Sequence, residues 1–189
     1  MAWIEIADTN LNDSQRDNNA LMVYAFYHPL GWATESIAAM AGNMSQESTL
    51  NPIIRSNPAA GAYGLTQLTY HKYDMINWCN NNGYNPATGN GQCAYYEYQR
   101  GHPETDQWYG RNEFRGVTFS DFAYNNVNYT LSQLTKCFWQ CYENSAGYNP
   151  RRYQYAARYY QLYTGGPVPP GTVPPWLLWA LKKHLNRYR

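Results

Sequence analysis

Glu47 is an acid in an expensive place. It follows Met44 by three residues and Met40 by seven, so a helix through this stretch carries it on the face of Ile37, Met40 and Met44. That is the face a helix buries. An ionised carboxylate among apolar side chains is costly, and desolvation favours its protonated form. A carboxylic acid kept neutral can protonate a leaving oxygen, which is the chemistry of glycosidic bond cleavage. The competing expectation is a helix-end glutamate that turns out to solvent or pairs with a cation such as Arg55.

A second carboxylate is not local, because no other acid stands between Glu47 and Gln67. Asp74, Glu97 and Glu143 are the acids that folding could bring near, and the sequence does not choose among them. Cys79, Cys93, Cys137 and Cys141 form C-x13-C and C-x3-C, which is not a zinc-knuckle spacing. Buried free thiols are the first expectation, with one or two disulfides as the alternative, and no cofactor is expected. Charged residues make up 14% of the chain and the net charge is +1, too little basic character for a nucleic-acid partner. Twenty tyrosines and seven tryptophans, accompanied by many asparagines, suit sugar rings and hydroxyls, although tyrosines half-buried in a core account for them equally well.

The elements that must position these groups are mostly helical. The spacing predicts helices over 13–28 (capped by Asp13 or Ser14, apolar at Leu21, Tyr24, Ala25 and His28), 35–48 (capped by Thr34), 70–82, 92–100, 119–125, 130–143 and 150–163. Asn51-Pro52 ends the second, and 51–69 reads as loop or small hairpin. After Thr164 the run GGPVPPGTVPP holds five prolines and three glycines, a semi-rigid spacer. WLLWALKKHLNRYR then predicts a short amphipathic helix that docks on its own domain or on a partner, with an interfacial membrane role least favoured.

ESTLNP followed by GAYGLTQL, about fourteen residues on, resembles the paired signature of the goose-type lysozyme and soluble lytic transglycosylase superfamily. The longer run GW-x4-I-x2-M-x-GNMSQESTLNP, with INW at 76–78, QCAYYEY at 92–98 and the late helices, resembles the phage tail lysozyme family over roughly residues 12–163. The resemblance implies that Glu47 is the general acid and that Gln67 lines the cleft near the cleaved bond. Ser48, Tyr63, Tyr96 and Tyr142 are the further candidate glycan contacts, with plain packing equally open for the tyrosines. Leu68 stands where the family commonly has Trp, which removes one aromatic sugar contact. AYN at 123–125 mimics a third transglycosylase motif but falls too early in the chain for a cleft wall.

The expected architecture is mainly α, a lysozyme-like α+β fold in one helical domain over 1–163. A Pro/Gly-rich linker (164–175) and a C-terminal helix (176–189) follow. The resemblance implies a virion tail-associated hydrolase of the β-1,4 bond between N-acetylmuramic acid and N-acetylglucosamine in peptidoglycan. The alternatives are a lytic transglycosylase forming anhydro-muramyl ends, or a non-catalytic glycan-binding tail component. Other tail proteins are expected partners through the linker and helix. The N-terminus lacks a basic segment followed by an apolar one, so no signal peptide is expected. Soluble release by lysis, or travel within a larger particle, is the expectation.

Overall fold

The computed structural model describes residues 2–55, 61–105, 107–143 and 147–166. Most of the expected linker, and all of the expected C-terminal helix, lie outside the described residues. The fold is mainly helical, with α1 at Asp13–Tyr27, α2 at Thr34–Ser48, α3 at Lys72–Asn81, α4 at Gly89–Gly101, α5 at Phe119–Tyr124, α6 at Leu131–Phe138 and α7 at Arg151–Thr164. Among the described residues the only extended pairing is an antiparallel bridge between Tyr63 and Leu68.

Asn12, rather than Asp13 or Ser14, caps α1. Its side chain accepts from Gln15 N while the Gln15 side chain accepts from Asn12 N, the reciprocal box that selects this start. The buried face is Asn19, Ala20, Val23 and Tyr27, not Leu21, Tyr24, Ala25 and His28. An inward asparagine explains the rotation: Asn19 bonds both the N–H and C=O of Ile4 and also donates to Leu50 O. Apolar counting cannot see such a residue.

Helix α2 is the axis of the domain. Every residue from Ser36 to Ser45 is buried, so Ile37, Met40 and Met44 occupy one side of a helix enclosed all round. Its start is tied to α5 by Ala33 N to Ala123 O and by Ser36 Oγ to Phe122 O. The AYN segment therefore stands beside the first turn of α2. Glu47 is in the last turn, a dozen residues on, or roughly 18 Å along the axis.

Two consecutive left-handed residues, Thr49 (φ 54°) and Leu50 (φ 59°), end α2. Non-glycine residues hold this conformation only when their surroundings fix it. Here Thr49 Oγ1 accepts from Leu11 N, Asn19 holds Leu50 O, and Asn51 Nδ2 donates to Ile6 O and Thr9 O. The chain's first residues thus strap the exit from α2.

Helix α7 lies directly against α2, and Gly42 permits the approach. A Cβ at 42 would stand 2.6 Å from Arg152 O and 2.7 Å from Ala156 N, both backbone atoms that cannot turn aside. Gly42→Ala is expected to cost about 1–3 kcal/mol by overpacking and to displace α7. A denaturant melt of the variant with an unchanged midpoint would contradict this packing.

The helix over 130–143 holds in extent, but its last turn, Trp139–Glu143, is π-helical. The wider turn places Cys141 and Tyr142 inward against Phe138, whose ring stacks on Tyr142 at 4.9 Å. All four cysteines are free and buried, with the Cys137 and Cys141 sulfurs 4.0 Å apart. Burial pushes the Cys79 thiol up to about 11 and Cys93 to about 12, which leaves both unreactive.

Candidate active site

Glu47 is the last acid of α2, and its side chain keeps 24% exposure just beyond the buried run from Ser36 to Ser45. Its partner is a cation, but not Arg55. Arg152, from the first turn of α7, donates through Nη2 to Glu47 Oε1. Through Nη1 the same guanidinium reaches Glu143 Oε2 and Asn43 Oδ1, the latter at 3.0 Å. Asn43 is itself held by bonds from Nδ2 to Ala39 O (2.9 Å) and Thr135 O (3.0 Å). The apolar surroundings expected for Glu47 are thus interrupted by one guanidinium shared between two carboxylates.

Of the three acids left open by the sequence, only Glu143 joins Glu47. Asp74 pairs with His71 on the surface, and Glu97 binds Arg100 and Trp32 near the opposite end of α2. Glu143 is almost sealed, at 3% exposure, as is Arg152 at 4%. Burial raises the Glu143 carboxyl well above the usual glutamate range; Arg152 opposes the shift and Glu47 adds to it. Among the described residues Glu143 Oε1 and Arg152 Nε have no hydrogen-bond partner.

The loop GAYGLTQL is fastened to the end of α2. Ser48 Oγ lies 2.8 Å from both Met44 O and Leu65 O, and Gln92, wholly buried, accepts from Leu65 N and donates to Pro52 O and Pro86 O. Gly64, at φ 81°, makes room for that amide: a Cβ there would stand 2.6 Å from Gln92 Oε1. Gln67 turns in the left-handed region (φ 52°), and its Nε2 donates to Gly64 O and Ile54 O.

The expected contacts divide by position. Gln67 and Tyr142 line a polar groove of about 230 Å³ with Thr66, His71, Arg111 and Glu143. The Tyr142 hydroxyl points away from solvent, donating to Gln99 Oε1 at 2.6 Å. Tyr63 is half-buried in a separate depression of about 390 Å³ with Arg55, Lys72 and Tyr73. Ser48 and Tyr96 are buried; the Tyr96 hydroxyl meets Thr66 Oγ1 at 3.1 Å, and its ring packs edge-on against Tyr142. Neither offers a surface to a glycan in this conformation. Leu68 is also buried, paired with Tyr63.

Residues 18–163 match the family described as phage tail lysozyme. The chain belongs to the phage tail lysozyme family. A relative, Morphogenesis protein 1 of Bacillus phage B103, is 31% identical over 153 residues, a match covering 78% of this chain and 40% of that protein. The chain thus spans well under half the length of that relative. The mainly helical fold of this phage tail lysozyme family member agrees with that membership. No helix among the described residues is long and apolar enough to cross a membrane.

Two residues of this family member escaped sequence reasoning in their present role, Arg152 and its orienting partner Asn43. A signal for the arginine existed. Arg152, Ala156 and Tyr159 recur at i, i+4, i+7 and are all buried, so α7 carries a cation on its inward face. A buried arginine demands carboxylates, and Glu143 and Glu47 supply them.

Proposed function

We propose that this chain cleaves the β-1,4 bond between N-acetylmuramic acid and N-acetylglucosamine in peptidoglycan, with Glu47 as general acid. The observation that carries the reading is the open edge of Glu47 at the end of α2, where every residue from Ser36 to Ser45 is enclosed.

In the reaction, the glycosidic oxygen takes the proton of Glu47 as its bond to the anomeric carbon breaks. Water then bonds to that carbon and returns a proton to Glu47. Attack by the sugar's own 6-hydroxyl instead gives the anhydro end of a lytic transglycosylase. Gln67 contacts glycan in the polar groove, whose wall is backed by the buried ring of Tyr142, and Tyr63 contacts it from the neighbouring depression. Ser48 and Tyr96 act by holding the 61–68 loop in place.

Family membership and a relative named for morphogenesis support a virion-borne enzyme that opens the wall locally during phage entry. Attachment to other tail proteins through residues 164–189 belongs to the same proposal. Mass spectrometry of muropeptides released from purified walls tests it. New reducing N-acetylmuramic acid ends are expected; anhydro ends reassign the chemistry to a transglycosylase, and glycan binding without any product leaves a non-catalytic tail component.

A further inference from the structure

We infer that Glu47 and Glu143 hold one proton between them on their shared Arg152, and that Glu143 is a positioning residue setting the pH range in which Glu47 can act. The inference rests on the reading of Glu47 as general acid. Two carboxylates and one guanidinium carry a net charge of −1 when both acids are ionised. The cluster is largely closed: Glu143 and Arg152 are almost sealed, and Asn43 is wholly buried. A closed site resists that net charge, and a single proton removes it.

The charged and titratable groups around Glu143 come from several elements. Glu47 faces it from α2 and Arg152 from α7. Tyr148, ahead of α7, carries a phenol that burial pushes up to about 12, so it stays neutral. His71 and Arg111 share the groove with Glu143. Among the described residues only Glu47 and Glu143 contact the Arg152 guanidinium as acids. The raised proton affinity of Glu143 agrees with sharing, because burial and the neighbouring Glu47 both contribute to it.

The two acids differ in access. Glu143 is enclosed, whereas Glu47 keeps an open edge. When Glu143 is the ionised member it occupies Arg152, and the proton rests on Glu47, the more exposed of the two. When Glu47 is the ionised member the cluster is equally neutral but cannot donate. Removing the last proton places two like charges on one guanidinium, so the pair releases it at higher pH than one glutamate beside an arginine does.

The test is the pH dependence of kcat/KM on soluble peptidoglycan fragments for wild type and Glu143→Gln. The variant leaves Arg152 wholly to Glu47, and the expected result is activity at acid pH with the alkaline limb lowered by about one pH unit. A limb that does not move overturns the inference. Loss of activity at every pH, with the fold intact, also overturns it and makes Glu143 a direct participant. Should Glu143→Gln fail to fold, carbon-13 NMR of carboxyl-labelled glutamate in the wild-type chain decides the matter. The two carboxyl signals are expected to shift together in two linked steps, and independent single-step titrations refute the sharing. Wild type inactive on every wall substrate refutes the glycosidase reading, while the NMR titration still decides the pairing.

Discussion

Arg152→Met is expected to destabilise the chain by about 3–5 kcal/mol, the usual cost of removing one partner from a buried ion pair. Methionine replaces much of the apolar stem, so the loss reports the guanidinium rather than a cavity. What remains is Glu143, almost sealed, and Glu47 beside it, with no cation among the described residues within reach of both. For a domain of this size the melting temperature should fall by roughly 10 °C. The pH dependence has a definite sign. Glu143 holds its proton more tightly folded than unfolded, so its contribution is full below the ordinary glutamate range and is lost as pH rises through its elevated folded value. Without Arg152 the ionised form loses the cation that opposes its raised proton affinity, so the penalty should be larger at about pH 8 than at about pH 5. Thermal melts at the two pH values check this, and an equal penalty at both would contradict the buried cluster.

Glu47→Gln is expected to lower kcat on peptidoglycan by about 10²–10⁴-fold, the range ascribed to a positioned general acid. The amide keeps the shape of the side chain, and its oxygen can still accept from Arg152. Stability should be unchanged or slightly raised, because the amide keeps its hydrogen bond from Arg152 and the cluster stays neutral with Glu143 ionised. Activity and melting temperature measured on the same preparation separate the two effects. A folded variant with wild-type turnover would remove Glu47 from the mechanism.

The helices were legible because period and punctuation agree. Asn12 with Gln15, Thr88, Thr118 with Asp121 and Thr130 with Gln133 cap their helices by side-chain bonds, and Gly31 and Gly165 stop theirs in the left-handed region. The inward face of α1 was misread because its key residue is Asn19, buried by hydrogen bonds rather than by apolar character. Glu47 was visible because burial of α2 follows directly from Ile37, Met40 and Met44. Its arginine was harder to see. Arg152 lies 105 residues away, and its arrival depends on α7 closing against Gly42. Glu143 could not be chosen over Asp74 and Glu97, because its inward aim depends on a π-helical turn that helical counting does not foresee. Ser48 and Tyr96 were chosen by residue type, yet burial turns both toward backbone or side-chain partners within the domain.

The most direct measurement of the central claim compares Glu47→Gln with wild type on two substrates differing only in leaving group. One is a natural glycan, whose departing sugar hydroxyl needs a proton. The other is an aryl glycoside whose departing phenolate does not. If Glu47 supplies that proton, the variant should lose about 10²–10⁴-fold on the glycan and far less on the aryl glycoside. Equal losses on both substrates would contradict the role assigned to Glu47.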